Sequence, residues 1–481
     1  MGGGTAMSSA VSRRVLKAMG LFGSVRMLQI LFGVVRVKLV ALWLGPAGVG
    51  LFGIFNNAVE TVRTLAQLGV PSSSVRGIAS QGSPELRARM VTVVRRWGWL
   101  LGLFGAVLMM ACAPLLSRWT FGSDDRTLSY VALSAVIFLL SVSSAEEAVM
   151  QGLGQLRRLA KASVCGVGAG LAASIPMYYY WGLDSVVPSI IVCAALGCVS
   201  TFLFSERKAG SRETVTMRDT FSFGRHIIIL GIYMTAADFI TQAMSYVFIA
   251  YLNSRAGDME VGLYQAGYTV VNRYVGMIFA AVATEYYPRI SGVVRFPRRL
   301  GVFVAHEMWL MFLLLLPAVL FLLSLAPYIV RLLYDARFEE ATPFISIAMA
   351  GVILRGISYC MSYVILAKGD GHAFIVTESI SGVAGLALNI VCYREWGIGG
   401  LGVSYTLWYL LYLLIIGVVY RIRYGLTVPR RIVRAAVITV ALSVAAIVFT
   451  FAVSSSLLLL PVAVIVSIVS LRQLRHLLKM R

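Results

Sequence analysis

The chain has 481 residues, 59% of them hydrophobic and only 13% charged. A soluble domain carries about 25% charged residues, so a chain this apolar could not cover its own surface in water. Its net charge of +21 would suggest a nucleic acid as partner of a soluble protein, but in a membrane protein Lys and Arg gather in loops and touch anionic lipid.

No nucleic-acid partner is therefore expected, and membrane lipid is. Many apolar runs approach 20 residues, enough to cross a hydrocarbon core about 30 Å thick, and their continuity excludes a strand barrel. The six cysteines and four histidines are scattered without a CxxC pair, which predicts neither a disulfide framework nor a metal site. No P-loop and no nucleophile–base constellation stands out, so neither an enzyme nor a bound cofactor is expected. Met1 to Lys17 lacks a cleavage pattern, and Ala6 breaks the myristoylation motif. The expected fold is an all-α polytopic membrane protein with about 14 transmembrane helices.

The first two spans fall at about 16–44 and 51–75, separated by the Gly/Pro turn Gly45-Pro46-Ala47-Gly48-Val49-Gly50. A basic loop with Arg76, Arg87, Arg89, Arg95 and Arg96 follows. Spans three to six take 97–116, 128–152, 162–181 and 187–204. The stretch 205–220 is the most polar of the chain and reads as a linker. Spans seven to twelve take 222–251, 262–287, 302–325, 343–366, 374–393 and 399–420. A basic segment from Arg421 to Arg434 precedes spans thirteen and fourteen, at 435–453 and 457–471. The expected organisation is an N-terminal lobe over 1–204, a cytoplasmic linker over 205–220, a C-terminal lobe over 221–420, and a two-span extension over 421–481. Lys and Arg crowd alternate loops, which predicts both termini in the cytoplasm.

The chain also repeats itself. Val49-Gly50-Leu51-Phe52 matches Val261-Gly262-Leu263-Tyr264, Pro114 and Arg118 match Pro327 and Arg331, and Gly152-Leu153-Gly154 matches Gly369-Asp370-Gly371, all at nearly one spacing. Six spans per half predicts two parallel-repeat six-helix lobes around a central cavity, with the last two helices outside the repeat.

A charge at mid-bilayer costs about 2.5 to 3.5 kcal/mol and marks either a partner or a water-filled cavity. Arg26, Arg63, Arg273 and Arg355 lie deepest and are expected to line the cavity. Arg36 and Lys38 lie near the outer end of span one, where snorkelling and cavity lining both fit. Glu60 precedes Arg63 by three residues, the spacing of a local ion pair. Asp238 falls at the height of Arg26 in the other half, as a pair or a gate. If transport is coupled to an H+ or Na+ gradient, Asp238 and Glu60 are the acids placed to carry it. Tyr178-Tyr179-Tyr180-Trp181 reads as an interfacial anchor.

Val37-Lys38-Leu39-Val40-Ala41 with the Gly45–Gly50 turn resembles the start of the oligosaccharide flippases of the multidrug/oligosaccharidyl-lipid/polysaccharide exporter superfamily. Ile329-Val330-Arg331-Leu332-Leu333-Tyr334, and Val261 through Ala266 running to Tyr287-Pro288-Arg289-Ile290-Ser291, resemble the same superfamily. The resemblance implies alternating access in a bacterial inner membrane. It implies a cargo of undecaprenyl-diphosphate-linked oligosaccharide, such as an O-antigen or capsule repeat unit, and a polysaccharide polymerase and chain-length regulator as partners. Arg26, Arg63, Arg273, Arg355 and Lys38 would then face the diphosphate, which guanidinium matches bidentately. Two extra spans depart from the twelve-span members and leave a lipid II flippase open. A cation-coupled drug exporter would need more deep acids than this chain has, and a membrane polysaccharide polymerase a larger outer loop.

The topology is checked in a background without the native cysteines. A membrane-impermeant maleimide added outside should label S123C and D258C but not S211C; labelling of S211C would reverse the orientation.

Overall fold

Inside hydrocarbon every backbone N–H and C=O needs a partner within the chain, and a helix supplies one locally. In the computed structural model the described backbone covers residues 3–206, 215–453 and 456–479; it is helical with short links, and no strand occurs among the described residues. Within those ranges the side chains of 3–26, 218–219, 223–234, 284 and 476–479 are not described. The helices are α1 (Gly3–Gln67), α2 (Val70–Ala79), α3 (Pro84–Phe121), α4 (Thr127–Gly152), α5 (Leu156–Trp181), α6 (Val186–Phe204), α7 (Met217–Ala256), α8 (Asp258–Tyr268), α9 (Gly276–Val293), α10 (Pro297–Leu333), α11 (Thr342–Ala367), α12 (Gly371–Val418), α13 (Arg430–Ala452) and α14 (Leu460–Lys479). Nine helical stretches among the described residues are long and apolar enough to cross a membrane.

At 1.5 Å per residue a straight helix the length of α1 would run about three bilayer cores. It does not stay straight: Gly45 has φ 68° and ψ −166°, and Pro46 follows at once. α12 breaks the same way at Gly397, with φ 59° and ψ −147°. A side chain is disfavoured at such φ, so glycine lets one continuous run supply two spans joined by a sharp turn.

The chain divides into two compact units, Met1–Asp258 and Met259–Arg481. In the first, α3 packs on α4, α5 on α6 and on α1, and α7 lies against α1, α2 and α3. Sequence reading places α7 beyond a linker with the second half. Hydrogen bonds along its length group it with the first unit instead. Trp97 Nε1 donates to the Thr220 carbonyl at 3.0 Å, Arg96 Nη1 to the Val215 carbonyl at 2.7 Å, and Asn253 Nδ2 to the Thr120 carbonyl at 2.9 Å. In the second unit α11 is wrapped by α10, α12 and α13, and α10 also carries α14. The two helices outside the repeat thus pack on α10, where Ser456 Oγ donates to the Ser324 carbonyl at 2.9 Å. Outward faces stay apolar, as a lipid solvent demands: Leu128, Leu203, Leu332 and Ile422 are all exposed.

The repeat is visible in backbone geometry. Gly45 has its counterpart in Gly257 (φ 82°), just before α8. α4 and α11 end on the same cap. Gly154 N–H donates to the Gln151 carbonyl and Gln155 N–H to that of Met150; Gly369 and Asp370 do the same to Leu366 and Ile365. This pairs Gly154 with Gly369, two residues away from the match read off the sequence. In the last turn of α3, Arg118 pairs with Asp124 beyond it at 2.7 Å, and in that of α10, Arg331 pairs with Glu339 beyond it. The hydrogen bond from each arginine holds its carboxylate partner below the ordinary range.

α11 and α12 approach closely because glycine faces each neighbour. A Cβ on Gly351 would lie 2.6 Å from Tyr405 Cδ1 and 2.9 Å from Thr406 Cα; one on Gly402 would lie 2.7 Å from both Ile347 Cβ and the Phe344 carbonyl oxygen. G351A and G402A should each cost about 1–3 kcal/mol, seen as a lower thermal midpoint in detergent. G417A in α12 meets no atom within 4 Å and should show no drop. Unchanged midpoints in the first two would show that this contact does not limit stability.

Candidate functional site

A polar face of α1 builds the site. Asn57, Thr61, Thr64 and Gln67 recur at helical spacing around Glu60 and Arg63, so one side of an otherwise apolar span is hydrophilic. Thr61 Oγ1 lies 3.3 Å from the Gln242 carbonyl of α7, and Gln67 Nε2 donates to Ser141 Oγ at 3.2 Å and Ser144 Oγ at 3.3 Å in α4. These bonds set α1, α4 and α7 around a cavity of about 480 Å³, whose lining includes Glu60, Arg63, Gln67, Ser144, Asp238 and Gln242.

Arg63 is the cation of this cavity. Its Nη2 lies 2.6 Å and its Nε 3.2 Å from Glu60 Oε2, and Nη1 reaches Ser144 Oγ at 3.5 Å. The pair is not sealed, since the two side chains are 26% and 39% exposed. A guanidinium has five N–H groups, and these contacts leave donors turned to the cavity. Asp238 is exposed on the α7 wall and makes no ion pair among the described residues.

Of the residues singled out from sequence, Glu60, Arg63 and Asp238 therefore line one cavity. Arg26 lies outside the described side chains, so its pairing with Asp238 has no structural counterpart here. Lys38 is half-buried and interacts with a neighbouring group. Its neighbour Arg36 is held by protein groups. Arg36 Nε donates to Tyr178 OH at 3.0 Å, and its guanidinium lies 4.5 Å over the Phe52 ring. Tyr178 is thus buried and structural, while Tyr179, Tyr180 and Trp181 are exposed in the manner of an interfacial anchor.

In the second unit Asn272 and Arg273 lie in a π-type turn, Thr269–Tyr274, between α8 and α9. The extra residue per turn alters which side chains face inward. Asn272 Oδ1 accepts from Arg355 Nη1 at 2.9 Å, and Arg273 is exposed. Arg355 also donates to Tyr405 OH at 3.2 Å and sits 4.8 Å from the Phe279 ring and 5.6 Å from that of Tyr409. Its guanidinium is enclosed by an amide and aromatic rings, unlike that of Arg63.

Residues 39–343 match the family model described as "Polysaccharide biosynthesis protein". The chain belongs to that family. It is 21% identical over 361 residues to proteins described as lipid III flippases in Escherichia coli (strain K12) and Shigella flexneri, which covers 72% of this chain and 83% of each relative. Among solved structures, the lipid II flippase MurJ in an inward closed conformation superposes with a TM-score of 0.73 at 13% identity, over 96% of this chain and 100% of that one. A multidrug resistance MATE transporter in an inward-facing conformation gives 0.68 at 16% identity, over 82% and 94%. The fold of this polysaccharide biosynthesis protein is that of the exporter superfamily to which the MATE transporter belongs.

Of this cavity's lining, the charges Glu60, Arg63 and Asp238 stand out in the sequence of the family member, whereas Lys38, Arg273 and Arg355, expected beside them, are not part of it, and its neutral wall does not stand out. Thr64 and Gln67 of that wall, like Asn57 and Thr61 before them on α1, carry no charge and so pass as ordinary span residues one at a time. Their helical period was the available signal.

Proposed function

We propose that this family member is a flippase for undecaprenyl-diphosphate-linked oligosaccharide, moving an O-antigen, capsule or exopolysaccharide repeat unit from the cytoplasmic to the outer leaflet by alternating access. The observation that carries the reading is Arg63, a guanidinium with spare donors on the wall of a polar cavity at membrane depth. A diphosphate crossing hydrocarbon needs such donors, and the glycan behind it needs hydroxyl and amide partners of the kind Gln67, Ser144 and Gln242 present. The relatives described as lipid III flippases support a lipid-linked cargo. The exposed Arg273 of the second unit offers a further guanidinium. The setting is a bacterial inner membrane with both termini cytoplasmic, and a polymerase and chain-length regulator act on the delivered units.

A lipid II flippase is the second reading, favoured by the superposition over the whole length of MurJ. It shares the diphosphate site and differs only in the glycan. A cation-coupled drug exporter fits less well, because a cationic drug would meet the Arg63 guanidinium on the cavity wall.

R63A and R273A should each weaken binding of a prenyl-diphosphate sugar by about ten- to hundredfold, the value of one charged hydrogen bond at about 1.5–3 kcal/mol. Binding of the same lipid without phosphate should not change. R63K should retain part of the affinity, since lysine keeps the charge but loses the fork. Parent-like diphosphate binding by both alanine variants would remove them from the site.

Asp238 and Glu60 carry the coupling half of the proposal. D238N or E60Q should abolish the response of transport in liposomes to an imposed H+ or Na+ gradient. Full gradient-driven transport by both variants would overturn the assignment.

A further inference from the structure

The second unit carries a groove that the flippase reading does not use. It lies where α9 ends and α10 begins and encloses about 600 Å³. Its walls are Val293, Val302 and Phe303, and its rim carries Arg289, Arg298 and Arg299. Val302 is 72% exposed, so the apolar wall is open to whatever surrounds the protein. Arg289 is paired with Glu285, and the Arg299 guanidinium lies 5.4 Å from the Phe296 ring. The rim therefore keeps a positive balance even after its one carboxylate partner is counted.

Neither half of this groove is explained by the other. A basic loop facing water has no use for an apolar trough at its foot, and an apolar helix face toward lipid has no use for three guanidiniums. The two occur together at the border of the membrane, because the apolar run of α10 begins beside the groove. At that depth the matching molecule is an amphiphile with an anionic head and an aliphatic body.

We propose that the groove binds an anionic glycerophospholipid. Arg298 and Arg299, with Arg289, hold the phosphodiester, and the first methylenes of an acyl chain lie along Val293, Val302 and Phe303. Guanidinium suits a phosphodiester because its N–H fork spans two oxygens, and the apolar wall lowers the local dielectric and strengthens that contact. A zwitterionic lipid offers the same phosphate, but its ammonium meets the arginines unfavourably, so the site selects for net negative headgroups. This proposal shares no residue with the Arg63 cavity and stands apart from the cargo assigned above.

The test uses the full-length protein in neutral detergent, titrated with fluorescent phosphatidylglycerol. Saturable binding is expected, with phosphatidylcholine weaker by about tenfold or more. The double variant R298Q/R299Q should weaken phosphatidylglycerol binding by about tenfold or more, from loss of two surface charges near the headgroup. V302D should weaken it as well, because it puts charge on the acyl wall. R430Q/R431Q, on a different basic segment, should bind as the parent does, and thermal midpoints confirm that each variant is folded. Parent-like binding by R298Q/R299Q, or equal affinity for phosphatidylcholine, would overturn the proposal. So would displacement of phosphatidylglycerol by millimolar inorganic phosphate, which would make the groove an anion site. Stronger displacement by a prenyl diphosphate than by unlabelled phosphatidylglycerol would assign the groove to cargo instead.

Discussion

A guanidinium cannot shed its charge, so each arginine within a span must be given substitutes for the water it loses. The fold answers this in several ways. Arg36 is held by the hydroxyl of Tyr178 and the face of Phe52. Arg95 meets the buried carboxylate of Glu146 at 2.7 Å. Arg355 is enclosed by Asn272, Tyr405, Phe279 and Tyr409. Arg63 takes Glu60 and lines the cavity of about 480 Å³. Removing one partner of such a group strands the other, which is costlier than the contact itself suggests.

These solutions differ in what they leave open. An arginine whose donors are enclosed by protein groups, such as Arg355, fixes helices to one another: it ties the turn after α8 to α11 and α12. One whose donors still face a cavity can exchange partners with a ligand. Residue type and depth are alike in the two cases, and only the surroundings tell them apart.

That is also why the sequence is readable in some places and silent in others. The Gly45 turn is legible because a left-handed glycine followed by proline has a local cause. The pairing of Glu60 with Arg63 is legible because it spans one helical turn. The Arg355 cage is not, since its members come from positions 272, 279, 405 and 409, and nothing local joins them. Tyr178 cannot be told from Tyr179 and Tyr180 by type; only the packing of α5 on α1 turns it toward Arg36. The placement of α7 was hidden for the same reason, because its ties to α3 are side chain to carbonyl and leave no pattern in composition.

The internal repeat sharpens the distinction. Both halves keep the turn glycine, the cap after the fourth helix of the half, and the ion pair beyond the third span. All three serve chain geometry, and geometry is what duplication can preserve without knowing the cargo. The halves part at the second span. In the first, the helix stays regular and Arg63 is drawn back along its own face by Glu60. In the second, a π-type turn splits adjacent residues, sending Asn272 to Arg355 and leaving Arg273 exposed. A π-type turn is less stable than regular helix and persists only where neighbours hold it. Arg355 is a neighbour that holds this turn through Asn272, next to the exposed Arg273. The divergence between halves that otherwise share their turns and caps falls on the spans that carry Arg63 and Arg273.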